Sequence, residues 1–446
     1  MHDLVRDVAI QIASSKEFGF VIKVGIGLKK WPGSFGSFED CTTISLMGNR
    51  LKELLEGLVC PLLKVLLLEL NDSVDVPCKF FKEMKALEVL SLKGGCLSLE
   101  SLKCSTNLQS LQFIECECVD LISLRKLQRL KILGFLSCYS SEELPEEIGE
   151  LESVRLMDLT GCTGLRRIHV NLIGRLKKLE ELLIGSKSFM KWGVGGTSRG
   201  GMNASLTELN SLSHLSVLSL RIPETKYIPR DFVFPKLLKY EILIGGDTCL
   251  RCQTSTILAF DSISITSLNA KTFEQLFPSV DQVSHEEKVL LLLSLTDLKL
   301  VSLSTLKYTW KGPTRHESLQ SLTYLKLWHL CQLKFIFTPS LAQSLPQLET
   351  LEIKDCSELE HIITSKDDNY EGEIIPNSIC FLKLKTLFVC ICEKLEYVFP
   401  LSVAPSLLNL EELHIVSADK LKKYLVVEKE KIHPQLMEMA SSCFLN

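Results

Sequence analysis

The chain has 446 residues, 46% of them hydrophobic but only 7% aromatic, and a formal net charge of −4. So small a charge over this length argues against a general nucleic-acid or anionic-membrane surface, and the apolar run Val289 to Leu293 is far too short to span a bilayer as a helix. Seventeen cysteines without an opening signal peptide point to a reducing, intracellular setting in which they act as buried thiols.

In chain order, residues 1 to about 15 read as an amphipathic helix, with Leu4, Val8 and Ile12 on one stripe and Val5 and Ala9 beside it. Gly19 to Asp40, holding Gly25, Gly27, Gly33, Gly36 and the pair Trp31-Pro32, read as a linker, so that 1–40 precede the repeats. From Cys41 a skeleton keeps returning, with an apolar residue at positions 1, 4 and 6 and Cys or Asn at position 9, as in Leu348-Glu-Thr-Leu351-Glu-Ile353-Lys-Asp-Cys356. Its frames start at Cys41, Leu63, Leu87, Leu108, Leu130, Val154, Leu179, Leu215, Leu237, Leu295, Leu322, Leu348, Leu384 and Leu410. Most intervals match a leucine-rich repeat. Positions 4 to 6 alternate in, out, in, as in a short strand, and one such strand buries too little to stand alone. The expected fold is therefore an α/β leucine-rich-repeat solenoid, a curved horseshoe with a parallel sheet on its concave face, preceded by a short N-terminal helix.

Position 9 is where the chain turns off the sheet. Asn49, Asn71, Cys116, Cys138, Cys162, Cys356 and Cys392 fall on it in phase with the leucines and form the expected structural ladder. Residues 41–245 make a first set of repeats, interrupted between Gly185 and Met202 by a Gly-rich insertion, Trp192-Gly-Val-Gly-Gly, expected to protrude. Residues 246–290 hold an irregular break or a degenerate unit containing Ile263 and Ile265, and 291–425 a second set of repeats. There a further signature appears on the returning segment, in Cys331-Gln-Leu333-Lys-Phe335, Cys356-Ser-Glu-Leu359-Glu-His361 and Cys392-Glu-Lys-Leu395-Glu-Tyr397. A polar acidic loop spans Ser365 to Glu373, and 426–446 form a tail.

Neither metal nor catalytic chemistry is expected. Cys249-x-x-Cys252 has no second pair at a matching distance, His285-Glu286 lacks the second His of a zinc-protease helix, and no Gly-x-Ser-x-Gly elbow occurs. What remains is a binding surface. Positions 2, 3, 5, 7 and 8 of each frame are expected to face solvent on the sheet, and the C-terminal frames put Tyr324, Lys326, Trp328, His329, Glu352, Lys354, Phe388 and His414 there. Aromatics among mixed charges suit a partner contact; the alternative is that Trp328 and Phe388 pack against neighbouring side chains on the sheet.

Met1-His2-Asp3-Leu4-Val5-Arg6-Asp7 resembles the Met-His-Asp motif that closes the nucleotide-binding region of plant disease-resistance proteins of the nucleotide-binding leucine-rich-repeat family, coiled-coil class. The stretches Phe38 to Met47, Gly57 to Pro61, Glu143 to Cys162 and Phe335 to Leu341 are similar to repeats of the same family. The resemblance implies the C-terminal part of a cytoplasmic immune receptor that senses a pathogen effector or a guarded host protein and restrains a nucleotide switch. It also implies that His2 and Asp3 contact ADP when joined to a nucleotide-binding domain. The phosphate-cradling Gly-x-x-x-x-Gly-Lys-[Ser/Thr] loop is not found, so no ADP, ATP or other cofactor is expected on this chain by itself. Two further readings are a substrate-recruiting adaptor of a ubiquitin ligase, in which similar repeats follow an F-box, and a truncated decoy product.

Overall fold

The computed structural model describes residues 19–32, 38–139, 142–185, 188–189, 191–193, 203–229, 237–244, 262–266, 295–303, 306–307, 319–343, 345–364, 380–399, 403, 406–416 and 423–425. The expected N-terminal helix, His2 and Asp3, the Cys249/Cys252 pair, the acidic loop and the tail lie outside these residues. The chain divides into two compact units, residues 1–221 with 227–235 and residues 222–226 with 236–446.

The first unit carries β1 (Phe20–Ile22), β2 (Thr43–Leu51), β3 (Val65–Leu70), β4 (Val89–Lys93), β5 (Cys96–Ser98), β6 (Ser110–Ile114), β7 (Glu117–Val119), β8 (Ile132–Leu136), β9 (Glu143–Leu144), β10 (Leu156–Asp158), β11 (Arg167–Ile168), β12 (Glu181–Leu183) and β13 (Val217–Ile222). One parallel sheet runs in the order β1-β2-β3-β4-β6-β8-β10-β12-β13, while β5–β7 and β9–β11 pair behind it. Position 4 of successive frames lines up in register, Leu90 with Leu111, Leu133, Met157, Leu182 and Leu218. All six are at most 1% exposed. Each such side chain contributes roughly 1.5–3 kcal/mol by burial, and each fills its place only when the coils on either side are present. The return segments hold short 3-10 helices, such as Leu99–Cys104 and Leu121–Lys126.

The second unit carries β14 (Lys239–Ile244), β15 (Ser262–Thr266), β16 (Asp297–Val301), β17 (Tyr324–Trp328), β18 (Phe335–Phe337), β19 (Thr350–Lys354), β20 (His361–Ile363), β21 (Thr386–Cys390), β22 (Tyr397–Phe399), β23 (Glu412–Val416) and β24 (Lys423–Leu425). Its main sheet runs β14-β15-β16-β17-β19-β21-β23, and β18-β20-β22-β24 form a second parallel sheet from the returning signature. Ile263 and Ile265 sit on β15, paired in register with Ile242 and Ile244 on one side and with Leu298 and Leu300 on the other. The segment without a legible frame thus supplies a full strand.

Two expectations need correction. Residues 19–40 do not form a plain linker: β1 adds parallel to β2, Val21 is 5% exposed, and Trp31 is buried edge-on against Phe38 and Phe80 at 6.0 and 5.9 Å between ring centroids. The Phe20-Val-Ile run is β-prone although it carries no leucine template. Nor does the insertion after Gly185 simply protrude. Phe189 and Trp192 are 0% and 2% exposed, pack edge to face at 5.1 Å, and the Trp192 indole Nε1–H donates to the Arg221 carbonyl at 2.7 Å. Burying two aromatic side chains removes enough apolar surface from water to hold Phe189 and Trp192 inward.

Candidate interaction surface

The turn off the sheet sets up the surface. At position 9, Asn49 is 1% exposed and answers five backbone groups: its Nδ2 donates to the Lys23, Leu46 and Met47 carbonyls, and its Oδ1 accepts from the Ile26 and Leu28 N–H groups. The thiols at the same position donate in the same direction. Cys116 reaches the Leu92, Gly94 and Ile114 carbonyls at 3.1–3.3 Å, Cys162 the Phe135 carbonyl at 2.6 Å, Cys138 that of Phe113, and Cys356 that of Leu327. Cys392 donates to the Cys390 carbonyl of its own coil and also meets the Cys356 thiol of the coil before. Asn71 departs from this pattern, because its Oδ1 accepts from the Ser73 N–H and hydroxyl in a local exposed turn.

Burial pushes the Cys116 and Cys162 thiols up to about 12, so both stay protonated donors at neutral pH. The Cys356 thiol is raised first by its hydrogen bond with Cys392 and then by burial.

Position 8 is a corner that the solvent-face expectation did not foresee. Gly94, Glu115, Ser137, Ser302, His329, Asp355 and Ile391 all hold φ between 53° and 74° there. Each of their N–H groups donates to the position-7 carbonyl of the following coil: Gly94 to Ile114, Glu115 to Leu136, Ser137 to Thr160, Ser302 to Trp328, His329 to Lys354, Asp355 to Cys390 and Ile391 to Val416, at 2.8–2.9 Å. Gly48, Gly94 and Gly161 at one phase of the repeat were the available signal.

With the corners fixed, the outward positions of the second unit form a grid. Position 3 aligns Asp297, Tyr324, Thr350, Thr386 and Glu412; position 5 aligns Lys299, Lys326, Glu352, Phe388 and His414; position 7 aligns Val301, Trp328, Lys354, Cys390 and Val416. Seven of the eight residues singled out in the sequence therefore share one sheet face, and His329 stands at the corner beside Trp328. Asp297 and Lys299, on the strand before, belong to the same grid and were missed because the frame at Leu295 was not projected onto the surface.

Trp328 and Phe388 are half-buried rather than freely exposed. The Lys326 ammonium lies 3.4 Å from the Trp328 ring centroid, and Lys354, the register partner of Trp328, approaches to 5.2 Å. Lys326 also faces Glu352 at 3.5 Å, Lys299 sits 5.6 Å over Tyr324, and Phe388 and His414 are tilted rings 6.4 Å apart. Neighbour packing and an outward face thus coexist. Among the described residues no group of three His, Cys, Asp or Glu side chains could hold a metal ion.

The grid lies within residues 266–357 and 370–419, which match the family model described as leucine-rich repeats of plant disease resistance protein RPS2-like. The chain is a relative of plant disease resistance proteins. Disease resistance protein At4g27190 of Arabidopsis thaliana is 31% identical over 57% of this chain and 26% of its own length. Disease resistance protein RPS5 of the same plant is 25% identical over 97% of this chain and 42% of its own length. The chain thus spans between about a quarter and under half of the length of these two curated relatives. Among solved structures, the leucine-rich-repeat protein LIC12759 of Leptospira interrogans aligns with a TM-score of 0.46 at 17% identity, covering 77% of this chain and 90% of that one. Among the described residues, no helix of this leucine-rich-repeat chain is long and apolar enough to cross a membrane.

Proposed function

We propose that this chain is the protein-recognition part of a cytoplasmic plant immune receptor. Its second-unit sheet face contacts a pathogen effector or a guarded host protein, and its repeats restrain a nucleotide switch carried on a nucleotide-binding domain. It works by binding, without catalysis and without a cofactor of its own; ADP or ATP belongs to the joined domain, where His2 and Asp3 would meet it.

The observation that carries this reading is the aligned grid of aromatic and charged side chains, Tyr324, Lys326, Trp328, Glu352, Lys354, Phe388 and His414, inside the segment that matches disease-resistance repeats. Trp and Tyr amid mixed charge are the composition from which interface hot spots are made. Restraint of a switch further requires that the repeats bind its two states with different affinity, since equal affinity shifts nothing.

The test is proximity labelling in plant tissue with the chain and with a Trp328→Ala/Phe388→Asp double variant. A neighbour labelled by the parent and lost in a folded variant supports the reading. An identical labelling profile for both sinks it. The restraint is tested by co-expressing the chain with the nucleotide-binding portion of a family member and measuring whether its signalling falls.

A further inference from the structure

The charges on the grid are unequally answered. Lys326 has Glu352 at 3.5 Å. Among the described residues, Lys354 and Lys299 take part in no ion pair, and each meets only an aromatic ring, at 5.2 and 5.6 Å. Lys354 is the one charged side chain of the position-7 row, beside Val301, Trp328, Cys390 and Val416. The bordering acids are engaged elsewhere: Asp355 with His329 at 3.1 Å, Glu349 with Lys385 at 2.9 Å, Asp297 with the Thr296 hydroxyl at 2.9 Å, and Glu412 with the Thr386 hydroxyl at 3.4 Å. Two ammonium groups therefore converge on Trp328, and of these, among the described residues, only that of Lys326 has a carboxylate, Glu352, as its ion-pair partner. The indole Nε1–H of Trp328 is out of solvent and has no acceptor among the described residues.

We infer that Lys326, Trp328 and Lys354 form a receptor for an acidic segment of a partner protein, whose carboxylate seats between the two ammonium groups. This deepens the sheet-face reading above and rests on it. A carboxylate gives Lys354 a charge-assisted hydrogen bond, which is stronger than its contact with the ring. Phe388 supplies the second anchor. From Lys354 to Phe388 is one diagonal step between adjacent strands, about 7–8 Å, close to the roughly 6.6 Å between residues i and i+2 of an extended peptide. The matching partner sequence is an acidic residue, any residue, then an apolar or aromatic one.

The experiment is fluorescence anisotropy on the full chain with the fluorescein-labelled peptide Gly-Glu-Ser-Phe-Glu-Ser-Phe-Gly and with versions carrying Gln or Lys in place of Glu. We expect the Glu peptide to bind, the Gln version to bind about tenfold more weakly, and affinity to fall as salt rises. Lys354→Glu should lower Glu-peptide affinity by about tenfold or more and raise that of the Lys version, while Lys79→Glu on the first unit leaves both unchanged. Circular dichroism of each variant establishes that it is folded. Equal binding of the Glu and Gln peptides, no effect of Lys354→Glu, or no binding by any of the three overturns the inference. If binding is indifferent to charge but is lost in Trp328→Ala and Phe388→Asp, the sheet face remains a contact surface and only its acidic chemistry falls. If peptides bind regardless of Lys354, Trp328 and Phe388, the sheet-face reading fails as well.

Discussion

The imidazole Nδ1 of His329 lies 3.1 Å from the Asp355 carboxylate, and both residues hold left-handed backbone, at φ 55° and 53°. Asp and His are among the side chains that tolerate this conformation best after glycine and asparagine. Each sits at position 8, where the chain must turn so that its N–H reaches the next coil, and left-handed backbone costs an L-residue roughly 1–2 kcal/mol.

The same corner in the next coil is Ile391, at φ 55° and 40% exposed. A β-branched side chain is poorly suited to that conformation. Ile391→Gly is expected to raise stability by roughly 0.5–1 kcal/mol, the relief of strain less the added freedom of the unfolded chain. Gly94→Ala should act in reverse, because at φ 74° its Cβ would lie 2.5 Å from the Leu70 carbonyl oxygen, and backbone cannot step aside. Urea unfolding of the two variants and the parent measures both; a gain for Gly94→Ala would refute the account.

Asn49→Ala removes one side chain from five backbone partners at once. It takes the acceptor from the Ile26 and Leu28 N–H groups in part-buried bonds and the donor from the Leu46 carbonyl in a buried one, and each lost hydrogen bond costs about 0.5–1.5 kcal/mol. We expect a loss of roughly 2–4 kcal/mol and, by hydrogen exchange, faster opening at residues 23–28 than in the rest of the first unit. Asn71→Ala, which gives up only a local exposed turn, should cost under about 0.5 kcal/mol.

The ladder thiols give a pH signature. Cys116 and Cys162 ionise near 12 in the folded chain through burial, against about 8.5 when unfolded. Between those values the folded state holds more protons, so stability is full below about 8.5 and declines as pH rises toward 12. The urea midpoint should therefore drop between pH 8 and pH 10, and by less in a Cys116→Ala/Cys162→Ala variant. Iodoacetamide at pH 8 should modify the exposed Cys78, Cys104 and Cys331 and spare Cys116, Cys162 and Cys356.

Trp192→Ala is expected to cost about 3–5 kcal/mol, the range for emptying a buried aromatic site, and it also removes the indole donor from the Arg221 carbonyl. Thermal unfolding decides this; a change within 0.5 kcal/mol, the usual effect of a surface substitution, would restore the protruding-loop reading.

What could be read from the sequence follows from what the leucine template records. Positions 1, 4 and 6 face the core in every well-formed frame, so Leu351 and Ile353 and their counterparts announced strand, facing and stacking together. The outward residues of β17, β19, β21 and β23 then followed by alternation, which is why Lys326, Trp328, Lys354 and Phe388 could be placed on one face. The template is silent where burial is achieved by other residues. Phe20–Ile22 lacks leucines, Trp192 lies in a Gly-rich run that reads as loop, and Ser262–Thr266 has two isoleucines but no repeat around them. It is silent also about corners. Position 8 is held by Gly, Glu, Ser, His, Asp and Ile, so hydropathy averages to nothing there and only the backbone reveals the common left-handed turn.

That corner gives the arrays a polarity. Each position-8 N–H between Gly94 and Ser137, and between Ser302 and Ile391, is closed by the strand that follows it, so no coil in either run completes its own turn. Removing a coil on the C-terminal side orphans the position-8 donor in its predecessor; removing one on the N-terminal side orphans donors as well, because the N–H groups at positions 2 and 3, such as those of Glu349 and Thr350, bond back to the position-2 carbonyl of the coil before. A duplicated coil brings one donor and one acceptor and closes both junctions at once. Lengthening within a run is therefore neutral for the backbone, and trimming from either end leaves N–H groups open.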